Sequence, residues 1–66
     1  MIRCNLYWLM ETKEILISDV ERDTGIHRNT IRALINDTAK RVDIDVIDKL
    51  CDYFDCEVGQ LFEKIE

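Results

Sequence analysis

The segment from residue 18 to residue 36 constrains this chain most, because its pattern predicts two short helices joined at a single glycine. Gly25 can adopt the left-handed conformation that ends a helix, and Ile26 supplies an apolar side chain for the corner. Apolar residues then repeat at the spacing of one helical face. The segment therefore predicts a helix-turn-helix whose second helix runs over residues 28–36.

The second of these helices has an outward face whose groups match the edges of DNA bases. On a helical wheel centred on Ile31, at about 100° per residue, the outward side holds Asn29, Arg32, Ala33 and Asn36. Asparagine pairs with adenine, arginine pairs with guanine, and an alanine methyl contacts the thymine methyl. The alternative interpretation is a solvated polar face, which the glycine-centred turn in front of the helix disfavours.

The charge of the chain opposes DNA binding overall but favours it in one stretch. Nine Lys and Arg stand against fourteen Asp and Glu, for a net charge of −5. Residues 22–41 carry five basic and two acidic side chains, and they include the predicted second helix and the loop after it. DNA phosphates would lie there. A weakly basic footprint on an acidic body predicts modest, salt-dependent affinity and a specificity that depends on base contacts.

Three further amphipathic segments complete a predicted helical core. Their apolar spacing predicts a first helix over residues 2–13, a fourth over residues 44–54 that begins after Asp43, and a fifth over residues 58–64. The length of the chain leaves no room for a separate catalytic or effector-binding lobe. We therefore predict one all-α domain of five helices over residues 1–66.

Three blocks of sequence follow one another at an informative spacing. They are Thr24-Gly25-Ile26-His27-Arg28-Asn29-Thr30-Ile31, Arg41-Val42-Asp43-Ile44-Asp45 and Asp48-Lys49-Leu50-Cys51. With these blocks the chain resembles the Cro/C1-type (Xre-like) helix-turn-helix regulators, in particular the small single-domain bacterial ones, over residues 2–63. The resemblance implies a five-helix, lambda-repressor-like domain whose third helix lies in the major groove of a double-stranded DNA operator. It also implies a homodimer on a two-fold operator.

The resemblance further implies which residues contact DNA. The implied base-facing residues are Arg28, Asn29, Arg32, Ala33 and Asn36. Phosphate contacts are implied for Thr30 and, in the loop after the third helix, for Lys40 and Arg41.

The chain departs from the family pattern at positions that affect this interface. Glu21 stands where a small residue, commonly alanine, lies in the second helix, and Ile17 stands where glutamine often holds a phosphate. His27 replaces the usual serine cap of the third helix. Ser18 and Glu21 have the spacing of a capping box, which predicts a late start for the second helix. We expect at least one phosphate contact of the family to be missing.

Aromatic residues on the first helix predict a contact surface. Tyr7 and Trp8 fall outside the apolar stripe of that helix, and exposed aromatic side chains often anchor interfaces. With Phe62 and Ile65 they are the interface candidates of the chain. The alternative is that Trp8 folds over the edge of the small core.

Four aspartates on the predicted fourth helix form a line that we call the acidic ridge. The ridge consists of Asp45, Asp48, Asp52 and Asp55. Like charges at these spacings repel one another. Exposed ion pairs are common, which favours neutralisation within the domain by Arg3, Lys13, Arg22 or Arg41. The alternative is a contact surface for a basic protein partner.

The sequence lacks the residue patterns of metal sites and of catalysis. Cys4, Cys51 and Cys56 do not have the close spacing of a zinc site, and His27 is the single histidine. No nucleophile, base and orienting group occur in a recognisable arrangement. We predict no metal, no cofactor and no enzymatic activity.

Apolar runs in the chain are short compared with the roughly 20 residues of a membrane span. The amino terminus also lacks the basic-then-apolar order of a signal peptide. These patterns predict a cytoplasmic protein that does not associate with membranes.

Two classes of function remain after these exclusions. The first is a sequence-specific DNA-binding transcriptional regulator. The second is a protein-interaction module on the same fold, such as an antitoxin or an acidic adaptor for another regulator. Arg28, Arg32, Lys40 and Arg41 favour the first class, because an interaction module has no need of a basic face.

Overall fold

The computed structural model of the protein describes residues 1–65, in which five helices are combined with a two-stranded sheet. In chain order the elements are β1 (Ile2–Cys4), α1 (Leu6–Thr12), α2 (Ile17–Thr24), α3 (Arg28–Ile35), α4 (Ile44–Phe54), α5 (Val58–Leu61) and β2 (Phe62–Lys64). The domain is mostly helical, as predicted, but it is not strictly all-α.

A two-stranded sheet, which the all-α prediction did not include, joins the first and last residues of the domain. Its strands are antiparallel, with Arg3 opposite Glu63 at the centre of the register. The Asn5 N–H donates to the Leu61 carbonyl at 2.7 Å, which extends the pairing beyond β1. Residues 2–4 are extended, and Ile2 and Cys4 share one face of β1, on which Ile2 is 59% exposed and Cys4 is half-buried. This explains why the apolar stripe predicted to begin at residue 2 is not a helical face.

Pairing of the strands also shortens two predicted helices. The first helix begins at Leu6 and not at residue 2, because the residues before it bond to β2. The fifth helix ends at Leu61 and not at residue 64, where the chain turns into the extended β2. The fourth helix has the predicted bounds and follows Asp43, although the Asp43 side chain makes no capping hydrogen bond.

The turn between α2 and α3 has the predicted geometry. Gly25 lies at a φ of +78°, in the left-handed region, and its N–H donates to the Glu21 carbonyl at 2.9 Å. The Ile26 N–H then donates to the Thr24 hydroxyl at 3.1 Å, which closes the corner. Ile26 is buried there, as the apolar corner residue was predicted to be. The chain is thereby redirected over only three residues, and α3 starts at a defined angle to α2.

The start of α2 differs from the prediction. The helix begins at Ile17, so Ser18 lies inside its first turn and does not cap it. Asp19 supplies the capping contact, because its Oδ2 accepts the Leu16 N–H at 3.1 Å. The predicted pairing of Ser18 with Glu21 is therefore wrong, and the Glu21 carboxylate has a different partner.

A single apolar core lies where all five helices meet. Its buried members are Leu6, Leu9, Met10, Val20, Ile26, Ile31, Leu34, Leu50, Phe54 and Leu61. Two apolar residues at the starts of the predicted amphipathic segments are exposed, namely Ile44 at 81% and Val58 at 56%. Both are the first residue of their helix, where the chain is still entering from a loop at the surface.

A polar contact also joins α4 to the helix-turn-helix. The Tyr53 hydroxyl donates to Asp23 Oδ2 at 2.7 Å and so joins α4 to α2. The contact with Asp23 raises the pKa of Tyr53.

Among the helices that the structure describes, none is long and apolar enough to cross a lipid bilayer.

Candidate nucleic-acid interface

The outward side of α3 carries the residues that were predicted to face DNA bases. Ile31 and Leu34 are buried and anchor the inner side of the helix. On the other side Asn29 and Arg32 are exposed. Asn36 is exposed as well, but it is the C-cap of α3, so the helix is one residue shorter than predicted. The burial of one side therefore fixes which groups the other side presents.

The other predicted DNA contacts on α3 are half-buried or already paired within the domain. Ala33 is half-buried, because its carbonyl accepts the Thr38 N–H at 2.9 Å and the loop after α3 folds over it. Arg28 is exposed, but its guanidinium lies 3.3 Å from Glu21 Oε1. Thr30, a predicted phosphate contact, is half-buried.

Glu21 binds the amino terminus of α3. Its Oε2 accepts the Arg28 N–H at 2.8 Å, while its other oxygen pairs with the Arg28 side chain. This backbone hydrogen bond is the main reason why the pKa of Glu21 lies below its ordinary value. The first N–H groups of a helix have no partner within the helix, and a carboxylate there also interacts favourably with the helix dipole. The unexpected Glu21 thus joins α2 to α3.

His27 takes the role of the serine that it replaces. Its Nδ1 accepts the Asn29 N–H at 3.0 Å, so the side chain caps α3. The imidazole acts as an acceptor here, which requires the tautomer that carries its proton on Nε2. The second N–H of the exposed start of α3 is therefore satisfied as well.

The loop after α3 is held by Asp37, which was not predicted from the sequence to have a role. Asp37 has a φ of +56°, and its Oδ1 accepts the Cys4 N–H of β1 at 3.2 Å. Lys40 and Arg41 are exposed further along this loop. A cavity of about 230 Å³ lies between the loop and the sheet. An available signal was the pair Asn36-Asp37 directly after the helix, since both residue types tolerate left-handed backbone.

Ion pairs within the domain reduce the basic footprint of residues 22–41. Arg22 pairs with Asp23 at 2.9 Å and with Asp19 at 3.2 Å, and Arg28 pairs with Glu21. Arg32, Lys40 and Arg41 take part in no ion pair within residues 1–65. These three cations lie on α3 and in the loop that follows it, next to the outward face of the helix.

The acidic ridge is not neutralised in the way that the sequence analysis favoured. All four of its aspartates are exposed, and none of the ion pairs in the described part of the chain includes them. Arg3 pairs with Glu63 instead, and Arg22 pairs with the aspartates on α2.

The four interface candidates separate into two pairs. Tyr7 is 53% exposed and Trp8 is 63% exposed, so Trp8 does not fold over the edge of the core. Phe62 is half-buried and packs against the core. Ile65 is half-buried, and its N–H donates to the Met1 carbonyl at 2.7 Å. The exposed aromatic pair thus lies on α1, whereas Phe62 lies in β2 and Ile65 directly follows it.

The cysteines lie at the edge of the core. Burial raises the pKa of the Cys4 thiol and of the Cys56 thiol, which lowers the fraction of reactive thiolate. Across residues 1–65, no group of three or more His, Cys, Asp or Glu side chains is placed to hold a metal ion.

Comparison with known proteins identifies one family. A model of the Cro/C1-type HTH DNA-binding domain matches residues 5–66. A search of curated proteins finds no match. The match includes the whole of α2, the turn and α3, on which the candidate interface is built.

Proposed function

Because this chain belongs to the Cro/C1-type helix-turn-helix DNA-binding family, we propose that it is a sequence-specific transcriptional regulator that inserts α3 into the major groove of an operator. The observation that carries the proposal is the joint exposure of Asn29 and Arg32 on one side of α3, beside Lys40 and Arg41 outside any ion pair of residues 1–65. This arrangement combines groups that discriminate bases with groups that hold phosphate.

The proposed roles follow from exposure and from chemistry. Asn29, Arg32 and Asn36 contact base edges. The exposed part of the Ala33 methyl group contacts a thymine methyl. Thr30, Lys40 and Arg41 contact phosphate. Arg28 reaches the DNA when its side chain leaves Glu21, while its N–H remains bonded there. The two cations placed on phosphate, Lys40 and Arg41, predict a salt slope of about 2, since each neutralised phosphate contributes about 0.9.

We further propose that the regulator acts as a homodimer and that its one domain spans residues 1–66. A single copy of α3, acting as the recognition helix that enters the major groove, reads only a few base pairs. Two copies related by a two-fold axis read two half-sites about 34 Å apart. The protein acts in the cytoplasm by binding, without catalysis and without a cofactor.

Selection of bound duplexes from a random DNA library tests the proposal directly. We expect one enriched sequence with two-fold symmetry, and sedimentation on that duplex should show two chains per site. Enrichment of no sequence at low salt would contradict sequence-specific binding. One chain per site at every protein concentration would contradict the dimer.

A protein-interaction module on the same fold, either an antitoxin or an acidic adaptor, is the second candidate. It is favoured by the exposure of the acidic ridge without ion pairs inside residues 1–65. This candidate gains support if the library selection fails and a basic protein binds the ridge.

A further inference from the structure

An apolar groove lies between the end of α1 and the start of α2, and none of its lining residues belongs to the outward face of α3. Its volume is about 710 Å³, and Met10, Ile15, Ile17 and Ile35 contribute apolar side chains to its lining. Leu16 also lines the groove and is 67% exposed. Tyr7 adds an aromatic ring that is 53% exposed, so the groove is continuous with an exposed apolar surface.

The exposure of Leu16 is built into the fold and does not result from fraying. Its N–H donates to Asp19 Oδ2 at 3.1 Å, and its carbonyl accepts the N–H groups of Asp19 and Val20 at 3.0 and 3.1 Å. Leu16 occupies the N-cap of α2, where Ser, Thr, Asp or Asn would add a capping hydrogen bond. The Leu16 side chain cannot form that hydrogen bond, and it exposes a large apolar surface to water. Local choices that reduce stability in this way are expected at functional positions.

The charge around the groove determines which partner fits it. The charged residues that line it within residues 1–65 are Glu11 and Glu14, and both are exposed. Interaction with the Glu11 carboxylate raises the pKa of the Tyr7 hydroxyl, and both residues line the groove. A second copy of the chain, docked on a two-fold axis here, would place the same carboxylates against each other. Like charges in an interface oppose association.

We propose that this groove binds a segment of another protein in which an apolar anchor is flanked by lysine or arginine. The anchor fills the apolar floor beside Leu16 and Tyr7, and the basic side chains lie against Glu11 and Glu14. A buried apolar anchor supplies most of the affinity in such interfaces, and the surrounding charges supply selectivity and a faster encounter. The groove contains none of the proposed base or phosphate contacts, and Ile17 replaces the glutamine that often holds a phosphate in the family, so the proposal can be tested without DNA.

A labelled probe peptide tests the proposal on the full chain without DNA. The probe is an amphipathic peptide of about 14 residues with leucines at helical spacing and lysines elsewhere. A second peptide keeps the leucines and replaces every lysine by glutamate, and a third keeps the lysines and replaces every leucine by serine. Binding is measured by fluorescence anisotropy at about 0.15 M salt, where weak long-range attraction is screened. We expect the first peptide to bind and the other two to bind at least about tenfold more weakly.

Two protein variants locate the bound probe. Leu16→Ser removes the exposed apolar side chain and places a favourable N-cap residue at the start of α2, so the fold is retained. Its matched control is Ile44→Ser, which removes an apolar side chain that is 81% exposed on another helix. We expect Leu16→Ser to weaken binding of the probe by about tenfold and Ile44→Ser to leave it unchanged.

A second pair of variants tests the charge. Glu11→Gln combined with Glu14→Asn removes two charges, and asparagine tolerates the φ of +56° at position 14. Its control is Asp48→Asn with Asp52→Asn, which removes two charges from the acidic ridge. Weaker binding and a smaller salt dependence in the first double variant alone would support the proposal.

Three outcomes would overturn it. Equal losses in the groove and ridge variants would mean that the probe responds to net charge only. Equal binding of the glutamate peptide would remove the charge argument. A dimer of the unmodified chain that Leu16→Ser converts to a monomer, measured by sedimentation without DNA, would show that a second copy occupies the groove.

Discussion

The Glu21 carboxylate binds Arg28 at two points, accepting the backbone N–H at 2.8 Å and pairing with the guanidinium at 3.3 Å. One side chain thus accepts the first N–H of α3 and pairs with one of the arginines that were predicted to face DNA. Glu21, which stands where the family commonly has a small residue, contributes to the relative placement of α2 and α3. It also lowers the charge available to DNA.

Replacing Glu21 separates these two effects. Glu21→Gln keeps an oxygen that accepts the Arg28 N–H, whereas Glu21→Ala removes both contacts. We expect the melting temperature to fall more for alanine than for glutamine. Both variants should bind random duplex DNA more tightly, because Arg28 is released and a negative charge is lost. A tighter complex for neither variant would show that Arg28 lies outside the DNA footprint.

The lowered pKa of Glu21 predicts acid sensitivity with a definite sign. A carboxylate whose pKa is lower in the folded state than in the unfolded state stabilises the fold above its ordinary value, here 4.5. This stabilisation is lost as the pH falls through the lowered folded-state pKa. Asp23, whose pKa is lowered chiefly by Arg22, contributes with the same sign. Urea unfolding between neutral and acidic pH should therefore show a smaller pH dependence for Glu21→Gln than for the parent chain. Superimposable curves would assign the acid sensitivity to other groups.

Base contacts and phosphate contacts should respond differently to truncation. Arg32→Ala and Asn29→Ala should each weaken binding to the selected operator by about 1–3 kcal/mol and leave binding to random DNA nearly unchanged. Arg3→Ala is the matched control, because Arg3 lies in β1 and pairs with Glu63. Equal losses on operator and random DNA would remove either residue from the base-reading set.

Lys40 should behave as a phosphate contact. Lys40→Ala should weaken all duplexes alike and lower the salt slope of binding by about one. The measurement is a titration of fluorescence anisotropy against salt on operator and random duplexes in parallel. Lys64→Ala, at an exposed position of β2, provides a control for the change in net charge. An unchanged slope for Lys40→Ala would exclude it from the phosphate set.

Asp37 should hold the loop after α3 against the sheet. Asp37→Ala loses the hydrogen bond to the Cys4 N–H and places a β-carbon at a φ of +56°, which should cost about 1–2 kcal/mol of unfolding free energy. Asp37→Asn retains an acceptor and tolerates this backbone, so its effect should be smaller. Hydrogen exchange at the Cys4 amide should accelerate in the alanine variant. Unchanged exchange there would mean that the loop is held without this contact.

The acidic ridge can be tested without disturbing the backbone. Asp55 ends α4 at a φ of +51°, which asparagine also tolerates. Asp52→Asn with Asp55→Asn should leave operator specificity unchanged and raise general DNA affinity slightly, because the net charge is less negative. Transcription from the operator is the decisive measurement. If the double variant binds its operator but no longer regulates, the ridge contacts a basic partner, and if both persist, the ridge is a solvated surface.

The sequence by itself determined the helix-turn-helix, because the interactions that specify it are local. Gly25 ends α2 by its own backbone freedom, and the spacing of Ile31 and Leu34 sets which side of α3 is buried. The outward position of Asn29 and Arg32 then follows from the helical period alone. The bounds of α4 were equally predictable, because its apolar spacing persists over three turns.

Only the tertiary structure decided the features that depend on residues distant in the chain. β1 and β2 are three residues each, too short for alternation to distinguish a strand from a helix, and they form only because folding brings the two ends together. The bond from the Cys4 N–H to Asp37 spans 33 positions. Glu21 and Arg28 meet because the turn at Gly25 folds α2 beside the start of α3. Local periodicity specifies which face of a helix is apolar, but the partner of a polar side chain depends on how the helices finally pack.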